Sequence, residues 1–164
     1  VGIVLLAAGC TSGHPAAAPQ ASPLPSPPAP SAPPTLDRGA AAARYLTIAT
    51  AGNSRLEIDF DRLNGPDRGQ LAAARADLRD AAATERLFDR RLLATAFPPQ
   101  TETVAKHLAA VNETRADLTA TAAAVTSLRL LRQYEKRLTA SNAPVEAAVT
   151  TIRSQLGLPP PATS

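Results

Sequence analysis

From Leu36 to Leu158 apolar residues recur at alternating intervals of three and four, and strong helix breakers interrupt them at only a few places. Such spacing marks a helix seam packed against other helices, and no stretch shows the strict alternation of a strand. Ala, Leu and Arg dominate the region, all good helix formers. A first helix is expected to open at Thr35 or Asp37, either of which can cap it. Its seam runs Ala42, Leu46, Ala49, Asn53, Leu56, Phe60, Leu63, and Asn64-Gly65-Pro66 ends it. A second opens on Asp67 and Gln70, at the spacing of a capping box. Its seam is Leu71, Ala74, Leu78, Ala81, Glu85, Phe88, Leu92, and Phe97-Pro98-Pro99 stops it.

A third helix carries Val104, Leu108, Val111, Arg115, Leu118, Ala122 and Val125, then Leu128, Leu131 and Leu138 in a shifted phase. The shift predicts a bend near Val125 in a helix running to about Thr139. Ser141-Asn142-Ala143-Pro144 reads as a turn and a new N-terminus, with proline in the first turn. The last helix presents Val145, Val149, Ile152 and Leu156. Gly157 suits a left-handed C′ position, Leu158 the hydrophobic contact after it, and Pro159 blocks continuation. Short connections require antiparallel neighbours. The expected fold over residues 36–158 is therefore an all-α, up-down bundle of three long helices plus a shorter C-terminal one, with 159–164 as a tail.

The segment before this domain has a different composition. Residues 11–35 hold nine prolines, and His14 is their only basic or acidic residue. Such a tract buries too little apolar surface to offset its ordering entropy, which predicts disorder. In polyproline II conformation it is a spacer of about 75 Å. Ahead of it, the apolar residues from Val1 end in Leu6-Ala7-Ala8-Gly9-Cys10, and Cys10 is the sole cysteine. One cysteine excludes an internal disulfide and a cysteine-based zinc site.

An apolar run closing on small residues and a cysteine resembles the end of a bacterial lipoprotein signal peptide, with Ala7 standing where that family more often has leucine or valine. The resemblance implies cleavage before Cys10, a diacylglycerol on its sulfur, and residence on the outer face of the plasma membrane. Residues 1–9 are then the end of the signal, 10–35 the lipidated cysteine and linker, and a basic segment is expected upstream. The helical region, with Ala-Arg-Ala-Asp-Leu-Arg-Asp-Ala-Ala-Ala-Thr-Glu-Arg and Gln-Leu-Gly-Leu-Pro-Pro-Pro, is similar to uncharacterised envelope lipoproteins of actinobacteria. Fifteen arginines against two lysines fit the high-GC genome this implies.

Each of the three long seams carries a polar residue where the core should be: Asn53, Glu85 and Arg115. Folding the hairpins brings Arg115 within about one turn of Glu85, and Asn53 near the same layer. Two readings stand open. The layer grips a small ligand, or it is a buried pair that sets helix register, which the sequence alone favours. Arg129, Arg132, Lys136 and Arg137 form a basic cluster that could meet an anionic envelope surface. The bland alternative places them near a helix C-terminus, where the dipole welcomes cations. Glu57, Asp59 and Asp61 alternate at spacing two and read as surface charges.

Other chemistry finds little support. His107 is the domain's only histidine and no Glu-x-x-His occurs, so no metal or other cofactor is expected. Neither a Gly-x-Ser-x-Gly elbow nor a phosphate-cradling glycine loop is present. The net charge of +3 and few aromatics argue against nucleic acid as a partner. The reading is a monomeric, non-enzymatic lipoprotein, anchored in the membrane and engaging an envelope protein or polymer. The alternative is a small-ligand binder that uses the polar layer.

Overall fold

A computed structural model describes residues 34–161; the expected signal end at residues 1–9, Cys10, His14, residues 10–33 of the predicted linker and the last three residues lie outside the described residues. Four helices follow in order, α1 (Arg38–Asn64), α2 (Leu71–Leu93), α3 (Pro99–Ala123) and α4 (Leu128–Leu156). Short connections turn each back on the last, so the domain is an up-down four-helix bundle. α2 and α3 share the most extensive interface, and α1 meets α4 only sparingly. The buried faces of α2 and α3 are rich in alanine: Ala74, Ala81 and Ala82 on one, Ala105, Ala109, Ala116, Ala122 and Ala123 on the other. Small side chains let two helix axes approach closely.

The apolar core comes in two pieces. One gathers Tyr45, Leu92, Phe97, Leu108, Ile152 and Leu156 at the end where the chain enters and leaves. The other gathers Leu78, Ala122, Val125 and Leu131 at the opposite end. Between them lies a polar waist.

The α2 seam is as expected, but the buried strips of α1 and α3 are shifted. On α1 the core takes Ala41, Tyr45, Ile48 and Asp59, leaving Leu46 and Asn53 exposed. Tyr45 and Ile48 together bury more apolar area than the rotation that would bury Leu46 and Asn53. On α3 the strip is Thr101, Ala105, Leu108, Asn112, Ala116 and Thr119, flanked by half-buried Val104, Val111, Arg115 and Leu118. The smaller residues face α2 because the close approach leaves no room for valine there.

Helix boundaries follow local chemistry. Asp37 caps α1, its Oδ1 accepting from the Ala40 amide at 2.8 Å. The expected Asp67–Gln70 capping box does not form. The Gln70 amide donates to the Asp67 backbone carbonyl at 2.9 Å, closing a turn with the groups the box would use, and α2 starts at Leu71. α2 stops at Leu93, short of Phe97, which is buried, and Pro99 opens α3.

The largest correction concerns the third and fourth helices. The chain breaks at Ala124–Ser127 instead of bending there, and the turn expected at Ser141–Pro144 is continuous helix. Ser127 supplies the new start, accepting from the Leu130 amide at 3.3 Å. α4 thus becomes the longest helix, at 29 residues, with Pro144 inside it. Proline lacks the amide that would bond to the Ala140 carbonyl, but both residues are exposed, so water can satisfy that carbonyl. The end of α4 is as the sequence suggests. Gly157 is left-handed at φ 72°, and the Leu158 amide donates to the Arg153 carbonyl at 2.9 Å.

Pro144→Ala restores the missing backbone bond in α4 and should stabilise the domain by about 1–3 kcal/mol. Denaturant unfolding checks this, and an unchanged or lower midpoint would mean that the proline relieves a strain elsewhere in the helix.

Candidate functional site

The polar waist is built on Glu85, whose side chain is 1% exposed on the buried face of α2. Arg115 reaches it from α3, its Nη1 2.5 Å from Glu85 Oε1. The Arg115 guanidinium also lies 5.8 Å from the Phe60 ring centre on α1. One turn along α3, Asn112 Nδ2 donates to the Glu85 backbone carbonyl at 3.2 Å and to Asp89 Oδ1 at 3.0 Å. The Thr119 hydroxyl lies beside Glu85 and donates to the Arg115 carbonyl at 3.0 Å. Two polar atoms of the pair stay sealed without a hydrogen-bond partner, Glu85 Oε2 and Arg115 Nε.

Sparse contact between α1 and α4 leaves a cleft over this waist. A cavity of ≈170 Å³ is lined there by Asn53, Glu85, Asn112 and Arg115, with Arg153 near its tail-side rim. Leu56, Phe88, Leu108, Val145 and Val149 supply apolar walls. A second hollow of ≈380 Å³ lies further along the cleft, among Phe60, Leu63, Glu135 and Leu138, and shares Arg115. The three residues singled out as a polar layer therefore meet at one cavity. Glu85 and Arg115 pair in its wall, whereas Asn53 stands at its exposed rim instead of in the core.

Burial raises several carboxyls. Asp89 is pushed to about 7 by desolvation, reinforced by the charges of Glu113 and Glu85 and opposed by the Asn112 hydrogen bond and Arg90. Desolvation also lifts Glu85, against the pull of Arg115. Asp59, expected at the surface, is covered at the α1–α2 contact with Arg55 3.5 Å away, and burial raises it too. Asp77 rises through burial and the neighbouring Asp67. The sequence reading missed Asp59, Asp77, Asp89 and Asn112. Asp89 lies one turn beyond Glu85 on the same face, and that spacing was the available signal.

The other candidates lie apart. Arg129, Arg132, Lys136 and Arg137 are all exposed on the first half of α4. Because α4 continues to Leu156, they lie in its first ten residues, far from its C-terminus, which overturns the C-terminal explanation for them. Arg137 stacks 4.9 Å from the Tyr134 ring centre. His107 is exposed, and no cluster of His, Cys, Asp and Glu among the described residues could hold a metal. No described helix is long and apolar enough to cross a membrane. The exposed large apolar side chains, Leu46, Ile58, Leu87 and Leu93, are on α1 and α2 rather than on α4. No protein-family model, curated protein or solved structure matches the chain.

The raised carboxyls have a thermodynamic consequence. Their folded pKa values lie above the unfolded ones, so the native state holds protons that the unfolded chain releases. Their contribution is complete below about pH 4 and is lost as pH rises through about 7 for Asp89. The thermal midpoint should fall by several degrees between about pH 5 and about pH 8, and Asp89→Asn should flatten that fall. A midpoint that rises over the interval would contradict the assignment.

Proposed function

We propose that this chain is a lipid-anchored protein of the cell envelope whose helical domain binds a small molecule in the α1–α4 cleft. The observation that carries the binding reading is a ring-sized cavity with apolar walls on which Glu85, Asn112, Arg115 and Arg153 converge. Convergent polar groups in an apolar pocket are the usual form of a ligand site. We read the site as binding without catalysis: among its lining residues the only carboxylate is Glu85, held by Arg115, and no serine, cysteine or histidine joins it. The anchor rests on the resemblance of Leu6–Cys10 to a lipoprotein signal.

A second reading is favoured by the basic row on α4. Arg129, Arg132 and Lys136 face solvent without an ion-pair partner among the described residues. Contact with an anionic envelope polymer would neutralise that row. Binding to soluble polyphosphate, lost at high salt and in Arg129→Gln/Arg132→Gln/Lys136→Gln, checks it.

Two experiments test the main proposal. Val149→Phe fills the cavity from its α4 wall, so it should abolish the thermal stabilisation that ring-sized compounds give the wild type, itself about 2.7 kcal/mol at a hundredfold excess over Kd. Stabilisation surviving in Val149→Phe would place binding elsewhere. Expressed with its natural upstream codons, the chain should partition into detergent and Cys10→Ala should not. Equal solubility of the two would remove the anchor.

A further inference from the structure

Arg153 is the second cation of the cavity and the one the waist does not use. It is half-buried on α4, its Nε donates to the Pro159 carbonyl at 2.6 Å, and its guanidinium lies beside the Tyr45 hydroxyl. It forms no ion pair among the described residues, whereas Arg115 has Glu85. The cavity lining therefore carries two arginines against one carboxylate, a net single positive charge.

Beside Arg153 the cavity walls are apolar, formed by Leu56, Phe88, Val145 and Val149. The volume of ≈170 Å³ is close to the about 150 Å³ that accommodates a single benzene ring. We propose that the cleft takes a ring-sized apolar monocarboxylate, its carboxylate on Arg153 and its ring against these walls. This inference rests on the ligand-binding reading above and adds the chemical class. An ammonium ligand would add to the uncompensated positive charge, while a neutral hydrocarbon would leave Arg153 without an anion. A monoanion answers that charge.

Isothermal titration of the full chain with four probes of similar size decides the class: 3-hydroxybenzoate, benzoate, 3-hydroxybenzylamine and 3-hydroxybenzyl alcohol. The expected order places 3-hydroxybenzoate and benzoate about tenfold or more ahead of the amine and the alcohol, since only the two acids bring the anion that Arg153 lacks. Arg153→Gln should weaken 3-hydroxybenzoate about tenfold and leave the alcohol unchanged, with the thermal midpoint confirming that the variant folds. Binding of the amine or alcohol as tightly as the acid, or an Arg153→Gln variant that binds the acid normally, overturns the carboxylate assignment while leaving the cavity a binding site. Failure of all four probes overturns both.

Discussion

Glu85 can stand inside this bundle because Arg115 reaches it from the neighbouring helix. Burying a carboxylate alone would cost several kcal/mol, and pairing it with a guanidinium offsets that cost only when the geometry is close. The 2.5 Å contact requires α2 and α3 to hold one axial register. A slip by one turn, about 5.4 Å, would strand both charges. The alanine-rich faces of α2 and α3 define how near the helices come but little about where they stop along the axis. The ion pair and the Asn112 bridge supply that specification. The two apolar clusters then form on either side of a fixed waist.

The same waist explains why α1 and α4 stay apart over it. Arg115 is half-buried and leans toward Phe60, so its charged head needs access to water that a closed α1–α4 seam would deny. Asn53 is exposed at the same level, on the rim of the cleft. The cleft is thus a consequence of placing a charged pair in a bundle with few large apolar residues. What makes it a site is the mixture left on its walls.

Much of the architecture was legible in the chain. Helical periodicity, the Gly65-Pro66 breaker, the Asp37 cap and the Gly157 terminus are local signals, and each operates in the fold as its chemistry suggests. The Glu85–Arg115 pairing was also readable, because hairpin lengths fix which turns of adjacent helices oppose each other. The readings that failed depend on tertiary balance. Pro144 looks like a helix start, and only the exposure of Ala140 and Pro144 makes it tolerable inside α4. Leu46 and Asn53 fit a heptad as well as Tyr45 and Ile48 do, and the decision comes from how much area each strip buries. Asp59 and Asp89 look like ordinary surface acids until the rotation of their helices is known.

The bundle has two unlike ends. The Leu36 amide donates to the Ala96 carbonyl, and Arg38 Nη2 lies 3.4 Å from the Ser154 carbonyl beside the Gly157 turn. Chain entry, the α2–α3 turn and the chain's exit from α4 are therefore clasped together at one pole. The 27 residues of α1 carry the opposite pole about 40 Å away. There Arg129 and Arg132 begin α4. The described domain is consequently unlike at its two ends, with a clasped pole where three chain segments meet and a cationic pole where α4 begins, so one rigid body offers two different chemistries along a single axis.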